Sequence, residues 1–396
     1  VSVARALPDS REFAAFTETT DAPATTATPY AMSIGDTFSG TLTVGDRDWV
    51  EITLSPGAQI LIDLVATGGS PLGDPYLRIH DSTGAQVAFN DDGGTGLNSQ
   101  LTFFTGTGGT FYIAAGSYQD ASAGGYRISV AIDTTPLPPV GSYNELAAFL
   151  TDGYWQAGDE QRHTFDTSAS NVITVNLTGL TADGMQLARW AFEAWEMVAD
   201  IAFVETTGAA DITFDDEDLD SAWADYTNSG TTTLTAEVNV GRNWLADYGV
   251  TMDAYSFSTY IHEIGHALGL GHQGDYNGSA GYPGDADFLN DSIQLSLMSY
   301  FSQDQNSYLS ASYAEPLTAM IIDIIAIQNL YGAPSGGATA GATVWGESST
   351  LSNYLGLFFN NLTNPAIYGG DPFTLTVYDE SGIDTINLAS DTEDQT

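Results

Sequence analysis

The chain has 396 residues, and its 51 acidic against 8 basic side chains give a formal net charge of −43. Its composition, 43% hydrophobic and 11% aromatic, excludes wholesale disorder, and the lack of cysteine excludes disulfides, thiolate metal ligands and a cysteine nucleophile. Because so acidic a surface repels phosphates and anionic lipids, neither nucleic acid nor a membrane is expected as a partner.

The N-terminal part of the chain predicts a β-sandwich between two linkers. Residues 1–34 predict a short helix at 10–16 and then a Thr/Ala/Pro-rich linker or pro-segment remnant. Residues 35–132 contain short alternating runs separated by Gly, Asp, Asn and Ser, which favour an antiparallel sandwich. The predicted strands are 49–54, 59–65, 76–80, 101–104, 111–115 and 126–132. Residues 133–142 contain three prolines and predict a stiff, extended linker.

From residue 143 the pattern changes to mixed helix and strand. Strands are predicted at 172–177, 201–205, 211–214 and 234–240, and helices at 181–200 and 254–268. A further helix is predicted to start after Pro316 and to end before Gly332. The sequence thus predicts a multidomain α+β protein: an all-β sandwich, an α/β domain at 143–335 and a short β-rich extension at 336–396.

Three of the five histidines fall in the stretch His262-Glu263-Ile264-Gly265-His266-Ala267-Leu268-Gly269-Leu270-Gly271-His272. His262 and His266 are four residues apart, so on a helix they share one face and can chelate a metal together. Gly269 allows a sharp turn that brings His272 round as a third ligand. A catalytic zinc takes three protein ligands and a water, and Glu263 is placed to act on that water as general base.

This stretch matches the pattern His-Glu-x-x-His-x-x-Gly-x-x-His of the metzincin zinc proteases. Residues 296–300, Ser-Leu-Met-Ser-Tyr, resemble the methionine turn of that clan. Residues 274–277 and 326–333 are similar to the serralysins, the calcium-dependent secreted bacterial proteases. The resemblance covers residues 143–390 and implies a metzincin-type α/β zinc protease domain. The chain departs from the family in two ways. Gln273 stands where proline is usual, and residues 380–386 resemble only the segment that precedes the family's calcium-binding repeats, which are not found in this sequence.

The resemblance also implies roles for individual residues. Met298 is expected to form an apolar floor beneath the zinc, and Tyr300 to coordinate the resting metal and then to hydrogen-bond the oxyanion. The strand at 234–240 is expected to be the sheet edge to which an extended substrate adds. The expected substrate-binding residues are Ala236, Glu237, Val238 and Asn239.

Residues 35–132 resemble the bacterial pre-peptidase C-terminal domain, through Asp74-Pro75 and the acidic loop at 90–94. In such modules the acidic loop sometimes holds calcium, which makes Asp91 and Asp92 candidate calcium ligands. Asp384, in the repeat lead-in, is a third candidate. Structural Ca²⁺ is therefore expected beside the catalytic Zn²⁺.

The predicted function is that of a secreted, extracellular zinc endopeptidase, monomeric, which acts on protein or peptide substrates. Two alternatives stay open from the sequence. The chain is a latent zymogen of the same protease, or it is a catalytically inactive binding protein that zinc stabilises. The intact Glu263 argues against the inactive protein, because a structural zinc needs no base beside it.

Overall fold

The computed structural model describes residues 13–309 and 311–389. The chain divides into two compact units. The first comprises Val1–Pro138 with the short segments Tyr282–Gly284 and Asp304–Ala311. The second comprises Pro139–Gly281, Asp285–Gln303 and Ser312–Thr396. In the part of the chain that the structure describes, no helix has both the length and the apolar character that a membrane crossing requires.

The first unit consists of two five-stranded sheets. Its strands are β1 (Ala15–Thr17), β2 (Ala31–Met32), β3 (Thr37–Leu42), β4 (Asp48–Leu54), β5 (Ala58–Ala66), β6 (Pro75–His80), β7 (Gln86–Asn90), β8 (Ser99–Thr105), β9 (Gly109–Ser117) and β10 (Gly124–Ile132). One sheet has the order β1-β3-β10-β5-β8 and the other β2-β4-β9-β6-β7. Their alternating apolar residues form one core, in which Phe38, Ile62 and Ile113 are fully buried.

The N-terminal segment contributes strands to both sheets. The sequence predicts residues 10–16 as a helix, but Ala15–Thr17 is a strand that pairs in parallel with β3, and residues 10–12 lie outside the described chain. Ala31–Met32 pairs in parallel with β4. The described part of the predicted linker 1–34 is therefore not a free linker, because its backbone groups find sheet partners.

The second unit contains seven α-helices, a π-helical turn (Phe149–Gly153) and nine strands within its described residues. The helices are α1 (Tyr143–Ala148), α2 (Tyr154–Ala157), α3 (Ala182–Glu196), α4 (Arg242–Tyr248), α5 (Tyr255–Ala267), α6 (Ile321–Tyr331) and α7 (Tyr354–Phe359). The strands are β11 (Val172–Gly179), β12 (Ala202–Glu205), β13 (Ile212–Asp215), β14 (Ala222–Ser229), β15 (Thr232–Val240), β16 (Glu315–Pro316), β17 (Val344–Gly346), β18 (Phe373–Thr374) and β19 (Thr385–Asn387). The predicted mixture of sheets and helices is confirmed.

The main sheet of this unit has the order β12-β11-β13-β15-β14. All neighbours pair in parallel except β14, which runs antiparallel to β15 and forms one edge. The prediction that the strand at 234–240 is a free edge is wrong, because β15 is hydrogen-bonded on both sides. Ala236, Val238 and Asn239 are buried, so they cannot receive a substrate strand.

Helices α3 and α5 form the core of the second unit. Helix α3 begins at Thr181, whose hydroxyl accepts a hydrogen bond from the backbone N–H of Gly184. The buried indole of Trp195 donates a 3.0 Å hydrogen bond to the carbonyl of Ile261 in α5. This hydrogen bond satisfies the only polar atom of the Trp195 side chain and holds α5 against α3.

The C-terminal part contains the predicted helix but less strand than predicted. The helix between Pro316 and Gly332 is α6, which begins at Ile321, after the extended Met320, whereas Pro316 itself lies in β16 and not in the first turn. Residues 336–396 are predicted to be β-rich, but the described part has three short strands and helix α7 between irregular segments.

A buried carboxylate joins α6 to the methionine turn. Asp323 is fully buried and accepts hydrogen bonds from the Ser296 hydroxyl (2.6 Å), the Leu297 N–H (2.8 Å) and the Met320 N–H (2.8 Å). Burial raises the pKa of Asp323 to about 6, although these donors oppose the shift. The carboxylate thus caps the helix and holds the turn at the same time.

We predict that Asp323→Ala lowers the free energy of unfolding by about 3 kcal/mol, because it leaves several buried donors unsatisfied. Asp247, exposed on α4, provides the control, and Asp247→Ala should change stability by less than about 0.5 kcal/mol. Denaturant unfolding of both variants measures the difference. Equal stabilities would show that Asp323 does not hold the turn.

Candidate metal centre

Helix α5 carries the first two histidines of the motif on one face. His262 and His266 lie one turn apart, and Gly265 lies between them. A Cβ at Gly265 would approach the Met298 sulfur to 2.9 Å and the Trp195 ring to 3.1 Å. A glycine is therefore needed here, because Met298 and Trp195 pack directly against the backbone of the metal-binding turn.

A left-handed glycine ends the helix and reverses the chain. Gly269 has φ +105°, and a Cβ there would lie 2.2 Å from the carbonyl oxygen of His163. Its own carbonyl accepts a 3.0 Å hydrogen bond from the Trp155 indole. This turn returns the chain so that His272 faces His266, as the sequence predicts.

The three imidazoles converge through their Nε2 atoms. The Nε2 of His266 lies 3.0 Å from the Nε2 of His262 and 3.0 Å from the Nε2 of His272. Each Nδ1 lies within 2.9 Å of a backbone carbonyl: Leu297 for His262, Leu270 for His266 and Tyr276 for His272. Because a carbonyl accepts only from N–H, each Nδ1 carries the proton and each Nε2 directs a lone pair at the common centre.

Burial keeps these imidazoles neutral. It lowers the pKa of His262 to about 4 and that of His266 to about 3, and it also lowers the pKa of His272. Neutral imidazole is the form that binds a metal, so the site is ready for a cation at neutral pH. Three converging neutral nitrogens and an open cleft fit a zinc ion with one position left for water.

Glu263 lies beside the histidines, in the same cleft. Its side chain is 7% exposed, and burial raises the pKa of its carboxyl to about 8. A dication bound at the three imidazoles opposes this shift, because a nearby positive charge favours the carboxylate. Without a metal the pKa of the Glu263 carboxyl is therefore high, and a bound dication would lower it.

The methionine turn lies under and beside the histidines. Met298 is fully buried, and its carbonyl accepts a 3.2 Å hydrogen bond from the N–H of Gln273. Proline could not donate this bond, so Gln273 gives the loop a link to the turn that the usual family residue lacks. The ring of Tyr300 lies 4.5 Å from the ring of His272, and its hydroxyl accepts a hydrogen bond from Gly278 at 3.3 Å.

Tyr276 contacts both the third histidine and Tyr300. Its carbonyl holds His272, and its hydroxyl accepts a 3.2 Å hydrogen bond from the Tyr300 N–H. The same hydroxyl donates to the buried carboxylate of Asp291 at 2.9 Å. Neither Tyr276 nor Asp291 is predicted as a site residue. The similarity of residues 274–277 to the serralysins is the sequence feature that could have identified Tyr276 as a site residue.

The histidines open into a cleft of about 990 Å³. Its walls include Glu263, Tyr300, Tyr154 and two residues of β14, Trp223 and Tyr226. None of the predicted strand residues, Ala236, Glu237, Val238 and Asn239, lines this cleft. The sheet edge beside the metal centre is β14.

The candidate calcium ligands are distributed over both units. Asp91 and Asp92 lie near Asp74, with one carboxylate oxygen of each within 4.8 Å of the others. Asp384 instead accepts hydrogen bonds from the N–H (2.7 Å) and the hydroxyl (2.5 Å) of Thr343. Among the described residues Asp384 belongs to no group of three potential ligands, and its calcium role stays a prediction.

We predict that His272→Ala weakens zinc binding by roughly a hundredfold or more, because three protein ligands leave none to spare. His80, which stacks on Trp49 in the sandwich, provides the control, and His80→Gln should keep stoichiometric zinc. Elemental analysis after dialysis against buffered free zinc measures both. Full zinc occupancy in His272→Ala would move the third ligand elsewhere.

The region around the metal centre is similar to known peptidases. Residues 237–293 match the model of the family Peptidase M66. The chain is 32% identical over 251 residues to metallopeptidase AprA of Pseudomonas marginalis, covering 59% of this chain and 50% of that protein. It is 31% identical over 229 residues to serralysin of Proteus mirabilis, covering 52% of this chain and 44% of that protein. The chain thus spans about half the length of the curated relatives it matches.

Among solved structures, the chain is similar to the pre-peptidase C-terminal domain of a Bacillus anthracis collagenase. The identity is 18% and the TM-score 0.21, over 26% of this chain and 92% of that domain. The resemblance to the serralysins that the motifs predict is confirmed by the curated relatives. Over these regions the chain is similar to metallopeptidase AprA and to serralysin.

Proposed function

We propose that the protein is a zinc endopeptidase that hydrolyses peptide bonds of protein substrates with Glu263 as general base. The observation that carries the proposal is the convergence of three neutral imidazole Nε2 atoms beside a buried carboxylate, in an open cleft. His262, His266 and His272 would hold the zinc. The serralysin relatives support this chemistry.

When bound, zinc supplies Lewis acidity, which polarises the scissile carbonyl and lowers the pKa of a water in the site. Glu263 takes a proton from the attacking water and later delivers it to the leaving amine. A dication at the three imidazoles would favour the carboxylate form that accepts this proton, whereas burial favours the protonated form that delivers it to the amine.

Tyr300 is proposed to stabilise the oxyanion. Burial, and next the charge of Glu263, raise the pKa of its phenol, so the hydroxyl keeps its proton and can donate a hydrogen bond. Tyr276 and Met298 fix the backbone on either side of the metal centre. The phenol can therefore change position while the turn stays in place.

We propose that the substrate binds in extended form along β14. This strand has one unpaired edge, and its residues Trp223, Asp225 and Tyr226 line the metal cleft. Tyr226 is itself held by the ring of His163, 3.9 Å away, and by its bond to Glu160. An edge strand offers backbone N–H and C=O groups that bind a peptide of any sequence.

The remaining predictions stay proposals. The metzincin arrangement would occupy residues 143–335, with the sandwich at 35–132 as an accessory domain beyond the linker at 133–142. Secretion, a monomeric state and action on whole proteins belong to the same proposal and stay predictions.

We predict that Glu263→Gln retains zinc and lowers turnover of a peptide substrate roughly a hundredfold or more, because the amide cannot accept the proton of the water. Glu217 lies exposed outside the cleft, so Glu217→Gln serves as the matched control and should keep normal turnover. The assay compares casein and a fluorogenic peptide, with and without a zinc chelator. Normal turnover by zinc-loaded Glu263→Gln would remove this residue from the mechanism.

We predict that Tyr300→Phe lowers kcat on the order of a hundredfold while KM stays within about twofold, because an oxyanion contact forms only in the transition state. The exposed Tyr143 gives the control variant Tyr143→Phe, which should leave both constants unchanged. Steady-state kinetics on one peptide separate the two constants. A raised KM with unchanged kcat would assign Tyr300 to substrate binding instead.

A further inference from the structure

One carboxylate in the wall of the metal cleft is held in a fixed position. Glu160 and Tyr226 both line the cleft, and the Tyr226 hydroxyl donates a hydrogen bond to the Oε2 atom of Glu160. The Glu160 N–H donates a 2.7 Å hydrogen bond to the carbonyl of Trp155. The indole of Trp155 is in turn bonded to the carbonyl of Gly269, at the turn that ends α5. The backbone and the side chain of Glu160 are therefore both fixed relative to the metal centre.

The ring of Tyr226 packs against two buried side chains. It stacks on His163, with ring centroids 3.9 Å apart and an interplanar angle of 27°. It also meets the ring of Trp155 at 5.5 Å, in an edge-to-face arrangement. Because these contacts fix the ring, its hydroxyl can hold the Glu160 carboxylate in one position.

The fixed carboxylate has no cationic partner in the part of the chain that the structure describes. Its Oε1 makes no hydrogen bond there, and none of the described residues that line the cleft is lysine or arginine. Arg162, two positions along the chain, is bonded to Asp152 at 2.6 Å instead. His163 is neutral at neutral pH, because burial lowers the pKa of its imidazole. Glu160 therefore presents an uncompensated negative charge to a molecule that enters the cleft.

We propose that Glu160 selects substrates with an arginine side chain near the scissile bond, which rests on the peptidase function proposed above. A guanidinium group is planar and always charged, so it can donate to the free Oε1 while it stacks on an aromatic ring. Tyr226 and Trp223 supply such rings in the same cleft. The number of carboxylates does not select this ligand, since the whole chain is acidic, but the fixed position of one carboxylate does.

The proposed binding of substrate along β14 brings side chains to this carboxylate. A peptide that adds to a sheet edge places alternate side chains on one face. Because Tyr226 belongs to β14 and is bonded to Glu160, one of those side chains would pass the carboxylate. Asp159 and Asp275 also line the cleft, and their charges favour the encounter with a basic peptide over an acidic one.

The test measures binding apart from cleavage, on the zinc-loaded full chain. The reference protein carries Glu263→Gln, and the probes are labelled octapeptides in which one position holds arginine, its neutral isostere citrulline, or lysine. That position is moved along the peptide, and fluorescence anisotropy gives the affinity. At one position the arginine peptide should bind roughly tenfold or more tightly than the citrulline peptide, with lysine between them. Adding Glu160→Gln should reduce the ratio to about twofold or less.

Asp159→Asn is the matched control. Asp159 precedes Glu160 and lines the same cleft, so the variant loses the same charge, but no phenol holds its carboxylate. Asparagine also tolerates the left-handed backbone of Asp159, with φ +59°. This variant should keep the arginine preference within about twofold of the reference, because an exposed charge without a fixed contact is screened.

Tyr226→Phe tests the positioning of the carboxylate, because it keeps the ring and removes only the hydroxyl. It should lower the arginine preference roughly threefold or more, since the carboxylate is then free to move. Zinc content and the thermal unfolding midpoint, measured on every variant, show that each is folded. An unchanged preference in Tyr226→Phe would remove Tyr226 from the proposal.

Three results would overturn the selection of arginine by Glu160. The reference would bind the arginine and citrulline peptides equally at every position, or Glu160→Gln would keep the preference. Alternatively, Asp159→Asn would lose as much preference as Glu160→Gln, which would indicate diffuse attraction by negative charge. Failure of the peptidase function would look different: the chain with Glu263 intact would bind the arginine peptide through Glu160 and leave it uncut.

Discussion

Three imidazole lone pairs directed at one point repel each other unless a cation lies between them, and much of the second unit is arranged to keep them there. Each Nδ1 is held by a backbone carbonyl from a different stretch of chain, at Leu297, Leu270 and Tyr276. The methionine turn, the turn after the helix and the following loop must therefore all be in position at once. Asp323 helps to hold the methionine turn by accepting a hydrogen bond from the Leu297 N–H, and Tyr276 does so by accepting one from the Tyr300 N–H.

The same constraint explains why the site could be predicted from sequence while its surroundings could not. The histidine pair at helical spacing predicts a helix, and Gly269 predicts the left-handed turn that reverses the chain after it. Both features depend only on residues close together in sequence. The contacts that orient the imidazoles come from residues up to 35 positions away. The sequence pattern does not predict these contacts, because every residue has a backbone carbonyl.

The error over the substrate strand has a different cause. The prediction chose the strand at 234–240 because it precedes the metal-binding helix, as the substrate-binding strand does in the serralysins, but both edges of β15 are paired. Strand β14 is largely exposed, with Trp223 and Tyr226 among polar residues, so its alternation is weak. The signal that could have found it is the turn at Gly230, which has φ +63° and closes a hairpin between the two strands. An edge that must stay open to a ligand cannot carry the sequence pattern of a buried strand.

The extreme acidity of the chain does not by itself create a cation site. A net charge of −43 attracts dications to the whole surface, but such attraction is weak and screened by salt. Binding at a fixed place requires ligand atoms whose arrangement is unfavourable when the ion is absent. At the metal centre these ligand atoms are the converging neutral nitrogens. Exposed carboxylates such as Asp92 bear no such cost, because water satisfies them. Burial of the ligand, more than the number of acidic residues, therefore separates a metal-binding site from a charged surface.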